Sequence, residues 1–191
     1  MSSKQPVKSI ILLPRTILIQ EMPARATKPL SNIINHEYVA EISSWIDRKS
    51  SIYSLTNTPY KFQLILRGSI NGLASQTFWD TCHGHASTVI IMKVKGTEEI
   101  LGDYNPLIWN ANNYGCRKTS DSFIFLLKNG DIQNSILSRV KIRENAIWNA
   151  GKSNQANYSP YFENGLDSPI RTTNSFSIVD YEVFKVIKKT S

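Results

Sequence analysis

The chain has little cysteine and no long hydrophobic run. Its 191 residues contain two cysteines, Cys82 and Cys116, which are too few for the disulfide framework of a small secreted domain. The apolar run at residues 10–13 ends at Pro14 and is far shorter than a signal-peptide core or a transmembrane helix. We therefore predict a reducing location, the cytoplasm or the nucleus, and no membrane insertion.

Charged residues are also scarce, at 19% of the chain, and the positive excess lies at its two ends. Residues 1–30 carry a net charge of +4 out of the total of +7, and three more lysines lie in the tail at residues 185–189, so the folded body is close to neutral. Because nucleic-acid binders usually concentrate lysine and arginine on one face of the fold, this distribution disfavours a nucleic-acid partner. A hydrophobic content of 41% predicts one folded domain at residues 31–189, preceded by an irregular extension at residues 1–30.

The common signatures of catalysis and metal binding are missing or incomplete. The sequence contains no GxGxxG motif, no phosphate-binding loop and no nucleophile elbow. Cys82, His83 and His85 form one metal-like cluster, but a structural zinc ion needs four ligands. Asp180 and Glu182 alternate along a predicted strand, where an ion pair or an acidic spot that faces a partner is a simpler role than acid–base catalysis. We predict no catalytic residue, no cofactor and no metal.

Hydrophobic spacing predicts a β-rich domain with short helices near its start. Residues 36–48 place Val39, Ile42 and Trp45 on one face of an amphipathic helix that Asn35 can cap. The fold class that the whole pattern favours is α+β, mainly an antiparallel β-sandwich with a few short helices packed at its edge. A second helix is predicted at residues 75–81, and strands are predicted at residues 60–66, 87–95, 99–104, 122–128, 136–142, 146–150 and 180–188.

Three local signals add detail to these strands. Strict alternation predicts that Phe62, Leu64 and Leu66 share one face of the first strand. Gly102 interrupts a strand, as a glycine does at a bulge or where another group approaches the backbone closely. The dipeptide at residues 129–130, Asn-Gly, predicts a tight hairpin turn.

A series of motifs, in this order along the chain, resembles the TLDc domain. The series opens with a strand, a loop and a helix at residues 60–82, and it closes with a strand of the form F-x-I-x-D-x-E-V-F at residues 176–184. Its order over most of the chain carries the resemblance. The helix at residues 36–48 further resembles members in which BTB and BACK adaptor domains come first. The intervening motifs are residues 87–91 (STVII), 100–104 (ILGDY) and 121–127 (DSFIFLL).

The chain departs from the family pattern at several positions. Ile70 and Asn71 stand where the family loop has arginine and aspartate, and Asp103 replaces the second of two paired glycines. Between residues 163 and 170 the chain is shorter than the family pattern, which predicts that part of one sheet is missing.

The resemblance implies an interaction module with no established catalytic residues and a protective role in oxidative stress. For several members it also implies binding to the V-type proton pump. We expect a monomer that binds a protein partner, such as pump subunits, through loops near residues 67–73 and 103–109. Tyr104 and Trp109 are candidate anchors, and a place in the core is the competing interpretation of both. The candidate surface residues are Arg67, Asn71, Asp103, Tyr104 and Trp109.

Two alternative functions stay open. The domain could recruit substrates for a BTB-type ubiquitin-ligase adaptor whose BTB part this chain lacks. Alternatively, Cys82 could be the reactive thiol of an antioxidant enzyme, against its simpler role as a buried structural cysteine.

Overall fold

A computed structural model describes residues 29–128, 131–157 and 176–190. Within these residues the chain forms a six-stranded antiparallel sheet, a two-stranded sheet and three short α-helices, which confirms the predicted α+β class. The elements are α1 (His36–Ile46), β1 (Tyr60–Arg67), α2 (Gly68–Asn71), α3 (Ser75–Cys82), β2 (Thr88–Val94), β3 (Glu99–Asn105), β4 (Gly115–Arg117), β5 (Phe123–Lys128), β6 (Asp131–Arg139), β7 (Ile147–Asn149) and β8 (Ile178–Lys188).

The large sheet has the order β1-β8-β2-β3-β5-β6, so the last strand lies between the first two. In this position β8 pairs with β1 on one side and with β2 on the other, and both pairings are antiparallel. Its residues 181–184 are therefore buried from both sides of the strand. The closing segment of the chain is thus part of the same sheet as its middle segments.

One face of the large sheet packs against α1. Asn35 caps this helix, since its side chain accepts a hydrogen bond from the backbone amide of Tyr38. Trp45 projects from the helix onto Phe123 and Phe125, with ring centroids 6.2 and 5.4 Å away. The amphipathic pattern at residues 36–48 thus predicted both the helix and the face that it buries.

The opposite face packs against α3 and the two-stranded sheet. Phe78 and Trp79 of α3 lie over Leu66 and Val183 of the large sheet, and Trp148 of β7 belongs to the same buried cluster. Residues on β2 divide between the two faces, as a strand with both faces covered requires. Val89 and Ile91 point towards α1, whereas Ile90 points towards α3.

A bulge in β1 overturns one sequence prediction. The pairing with β8 shifts register between Leu64 and Leu66, which inserts one extra residue into β1. Phe62 and Leu64 therefore face α1, while Leu66 turns to the face under α3. The prediction that all three share one face is wrong, because alternation holds only where the register is unbroken.

Other differences concern the ends of elements. β6 begins at Asp131 and not near Ile136, because it pairs with β5 directly from the turn, where Lys128 lies opposite Asp131. This pairing confirms the hairpin, although its two turn residues lie outside the described residues. β4 has three residues and was not predicted, because so short a strand shows no periodicity.

Two sequence predictions fall outside the described residues. These are the irregular extension, of which residues 1–28 are not described, and the shortened segment at residues 163–170. Among the described helices, α1 is the longest at 11 residues, and none is long and apolar enough to cross a membrane.

Candidate functional site

The five candidate surface residues fall into three separate environments. Arg67 and Asn71 flank the short helix α2, Asp103 lines a small cavity, and Tyr104 and Trp109 belong to the core. Asn71 is the single member of the five whose side chain is exposed. The other four are buried, so their side chains do not form an accessible surface.

Tyr104 and Trp109 are core residues, which confirms the competing interpretation. Tyr104 packs on Phe123 with ring centroids 5.3 Å apart. Trp109 packs edge-on against Phe78, and its indole N–H donates a 2.8 Å hydrogen bond to Thr88 Oγ1. A tryptophan whose ring is enclosed and whose single donor is satisfied stabilises the domain and is not available to a partner.

Arg67 and Glu182 form a buried ion pair between neighbouring strands. Arg67 Nε donates a 2.7 Å hydrogen bond to Glu182 Oε1, and the two side chains are 5% and 0% exposed. Glu182 also accepts hydrogen bonds from the Ser31 hydroxyl and from the backbone amide of Asn32, at 3.0 Å for the latter. The carboxylate thereby fastens the segment before α1 to the centre of the sheet. The prediction of an ion pair is confirmed for Glu182.

A second set of hydrogen bonds fixes α2 beside β8. Asn71 Oδ1 accepts from the backbone amide of Arg67 at 2.9 Å. Asp180 Oδ1 accepts from the backbone amides of Ser69 and Tyr181, at 2.7 and 2.8 Å. Asp180 and Glu182 therefore hold different partners and do not act as a carboxylate pair.

The anchored segment presents two apolar side chains to solvent. Ile70 on α2 is 68% exposed, and Leu73 just after the helix is 53% exposed. We name residues 68–73 the α2 loop. Sequence reasoning found this loop but chose its polar residues, because burial of Arg67 and exposure of Ile70 depend on the bulge in β1 and the pairing with β8.

Asp103 lies at the floor of a cavity of about 100 Å³. Ile90, Met92 and Tyr181 complete the floor from the adjacent strands. Leu73, Phe78 and Ile178 form the described part of the walls. Asp103 is 8% exposed, and its Oδ1 has no hydrogen-bond partner. Burial raises the pKa of this carboxyl well above its usual range, because the apolar surroundings disfavour the charged form.

Replacing Asp103 by asparagine is expected to stabilise the domain at neutral pH and to have little effect below about pH 4. A carboxyl whose pKa is raised on folding loses stability as pH increases from its unfolded pKa towards its folded pKa. The isosteric amide has no charge to bury, so a gain of about 1–2 kcal/mol is expected at pH 7.

Urea unfolding of both proteins across pH 3–8 measures this difference. Titratable groups other than Asp103 are common to the two proteins and cancel in the comparison. A stability difference that stays constant with pH would contradict the assignment of the penalty to ionisation of Asp103.

The residues that build this fold match a known protein family. A family model for the TLDc domain matches residues 28–155 of the chain. The chain belongs to the TLDc family. The match runs from the residues before α1 to those after β7, and β8 lies beyond it while completing the same sheet. No curated protein matches the chain.

In this TLDc domain, Cys82 is the last residue of α3 and belongs to the buried cluster that α3 forms with the large sheet. Its side chain is fully buried, and burial raises the pKa of the thiol to about 12. His83 is exposed, and its Nδ1 is already occupied, because it accepts a hydrogen bond from the backbone amide of Ala111 at 3.0 Å. No group of three metal-ligating side chains comes together within residues 29–128, 131–157 and 176–190.

The two cysteines are expected to react with a thiol reagent at very different rates. Cys116 is exposed on β4, whereas the Cys82 thiol is buried and uncharged at neutral pH. Because the thiolate is the reactive form, an aromatic disulfide reagent should label one thiol per folded chain quickly and the second only after unfolding. Rapid labelling of two thiols in the native protein, or of Cys82 in a Cys116→Ser variant, would contradict this prediction.

Proposed function

We propose that this TLDc domain is a non-catalytic protein-interaction module whose docking surface is the α2 loop. The observation that carries the proposal is the exposure of Ile70 and Leu73 on a segment that is hydrogen-bonded to β8. A partner that covers these apolar side chains gains hydrophobic burial. Because the loop is already anchored, little conformational entropy is lost on binding.

Family membership supports the finer part of the proposal. TLDc resemblance implies protection against oxidative stress and, for several members, binding to the V-type proton pump. We therefore propose pump subunits as the partner and the cytoplasm or nucleus as the location. The burial of Cys82 and its raised pKa favour a binding role over a thiol-based antioxidant enzyme.

Capture of partners from cell extracts tests the docking surface. The matched variants are Ile70→Asp in the α2 loop and Ile142→Asp, which changes another exposed isoleucine far along the chain. We expect wild-type protein and Ile142→Asp to retain pump subunits, and Ile70→Asp to lose at least about 90% of them, since a charge in an apolar contact is not compensated. Equal capture by all three proteins would contradict the proposed surface. Capture of ligase components in place of pump subunits would instead support the adaptor alternative.

Peroxide consumption by the pure protein tests the enzymatic alternative. We expect the wild-type protein and Cys82→Ser to show the same background rate, because a buried neutral thiol is a poor nucleophile. Consumption that depends on Cys82 would overturn the non-catalytic assignment.

A further inference from the structure

The cavity at Asp103 combines three features of a ligand site. Its floor is rigid, because Ile90, Asp103 and Tyr181 come from adjacent hydrogen-bonded strands of the large sheet. Its walls are apolar, with Leu73 and Phe78 on one side. It also opens to solvent beside Leu73, which is 53% exposed. Small-molecule sites are typically apolar concavities with a few placed polar groups.

Asp103 is the polar group that could orient a ligand in this cavity. No positively charged side chain is found among the described residues that line the cavity. Asp103 Oδ1 is closed off from water and has no hydrogen-bond partner, so the charge of the ionised carboxylate is not compensated at this oxygen by the protein. An ionised carboxylate accepts hydrogen bonds only, so a donor that carries positive charge is the complementary ligand group.

The size of the cavity limits the rest of the ligand. A volume of about 100 Å³ is smaller than a cavity of roughly 150 Å³ that accepts benzene, and it corresponds to about three water molecules at ~30 Å³ each. An ammonium group with the first one or two carbon atoms of its stem is of this size, and the rest of a longer stem would leave through the opening beside Leu73. The guanidinium of arginine is planar and wider, so it fits less well.

We propose that this cavity binds a primary alkylammonium group, with the ammonium on Asp103 and the short apolar stem against Leu73, Ile90 and Met92. Phe78 and Tyr181 add aromatic rings to the lining, and an aromatic ring attracts a cation that lies over its face. The group can come from a free alkylamine or from a lysine side chain of another protein. Leu73 belongs both to the wall of this cavity and to the α2 loop, but binding of an alkylammonium group to the isolated chain does not require a protein partner on that loop.

Ligand affinity is expected to depend on pH through Asp103. Burial favours the protonated form of this carboxyl and a bound ammonium group favours the carboxylate, so ligand binding is coupled to loss of the carboxyl proton. Affinity should therefore rise as pH increases through the pKa of Asp103. Tyr181 also lines the cavity, with Cys82 and Asp180 near it, and burial raises the pKa of Tyr181 and of Cys82 to about 12. The Tyr181 hydroxyl and the Cys82 thiol therefore stay neutral below about pH 9. Asp180 is present in both the wild type and Asp103→Asn, so it does not contribute to the difference between them.

Methyl-detected NMR titration of the whole chain with n-butylammonium chloride tests the proposal. The uncharged probe 1-butanol has the same stem, and Asp103→Asn keeps the shape of the cavity while removing its charge. We expect butylammonium to shift the methyl signals of Leu73, Ile90, Met92 and Ile178 with a Kd on the order of 1 mM. Asp103→Asn should weaken butylammonium at least tenfold and leave 1-butanol unchanged.

A short peptide with a single lysine separates the two sources of the ligand. Shifts of the same methyl signals by this peptide assign the site to lysine side chains, and shifts by butylammonium alone assign it to free amines; both results support the proposal. Equal binding of butylammonium to the wild type and Asp103→Asn would overturn it. Binding of 1-butanol as tight as that of butylammonium, or methyl shifts confined to other parts of the protein, would also overturn it. Thermal unfolding of Asp103→Asn verifies that the variant is folded.

Discussion

Replacing Glu182 by alanine is expected to lower the free energy of unfolding by about 3–5 kcal/mol, because it leaves the guanidinium of Arg67 buried without its partner. The pair is almost completely shielded from water, so solvent cannot replace the lost carboxylate. The same change removes the acceptor for Ser31 and for the backbone amide of Asn32. Urea unfolding followed by tryptophan fluorescence measures the loss.

Two variants show whether this loss comes from burial of the charge. Removing both charges with Arg67→Met and Glu182→Leu should recover part of the lost stability, since a buried ion pair is often no more stabilising than apolar residues of similar size, while Ser31 and Asn32 stay without their acceptor. Glu144→Ala removes the carboxylate of the exposed pair with Lys118 and should change stability little. If Glu182→Ala were as mild as Glu144→Ala, the buried network would not be the link that holds the N-terminal segment to the sheet.

Replacing Gly102 by alanine is expected to cost about 2–3 kcal/mol, through overpacking at the centre of the large sheet. A Cβ atom at this position would lie 2.2 Å from Phe125 Cζ and 2.6 Å from the backbone oxygen of Ile90. The ring of Phe125 is fully buried and the Ile90 oxygen belongs to the neighbouring strand, so neither can move away easily. Thermal unfolding with calorimetry measures the cost.

A double-mutant cycle tests the contact with Phe125. Phe125→Leu creates space over Gly102, so the cost of Gly102→Ala should be smaller in that background than in the wild type. Gly151→Ala is the matched control: its nearest side chain is the exposed Tyr114, no closer than 3.3 Å, and its φ of −64° suits alanine. Additive costs for Gly102→Ala and Phe125→Leu would contradict direct overpacking.

The environment of Gly102 was predictable from the sequence only in part. Its position inside an apolar strand predicted either a bulge or a close approach to the backbone, and the structure shows the close approach. The identity of the approaching group was not predictable, because Phe125 lies on a different strand and reaches Gly102 only through the β3–β5 register.

The burial of Asp103 in its cavity, by contrast, was not predictable from the sequence. The sequence marked Asp103 as a departure from the family glycine and placed it on a predicted partner surface. Its burial follows from the covering of that face by α3 and by the residues around Leu73, which are distant in sequence from β3. A carboxylate is usually exposed, so the sequence predicted an exposed Asp103, and this prediction was wrong.

Local pattern was enough to determine the helix at α1 and its cap, most of the strands, and the hairpin between β5 and β6. These features depend on the period of hydrophobic residues and on turn chemistry between near neighbours. The TLDc resemblance came from the order of motifs along the chain, and the family model confirms it. Tertiary structure alone decided the insertion of β8 between β1 and β2, the reversal of Leu66, and the burial of Arg67, Asp103 and Glu182. The physical reason is that burial and pairing depend on contacts between residues far apart in the chain, which no local period encodes.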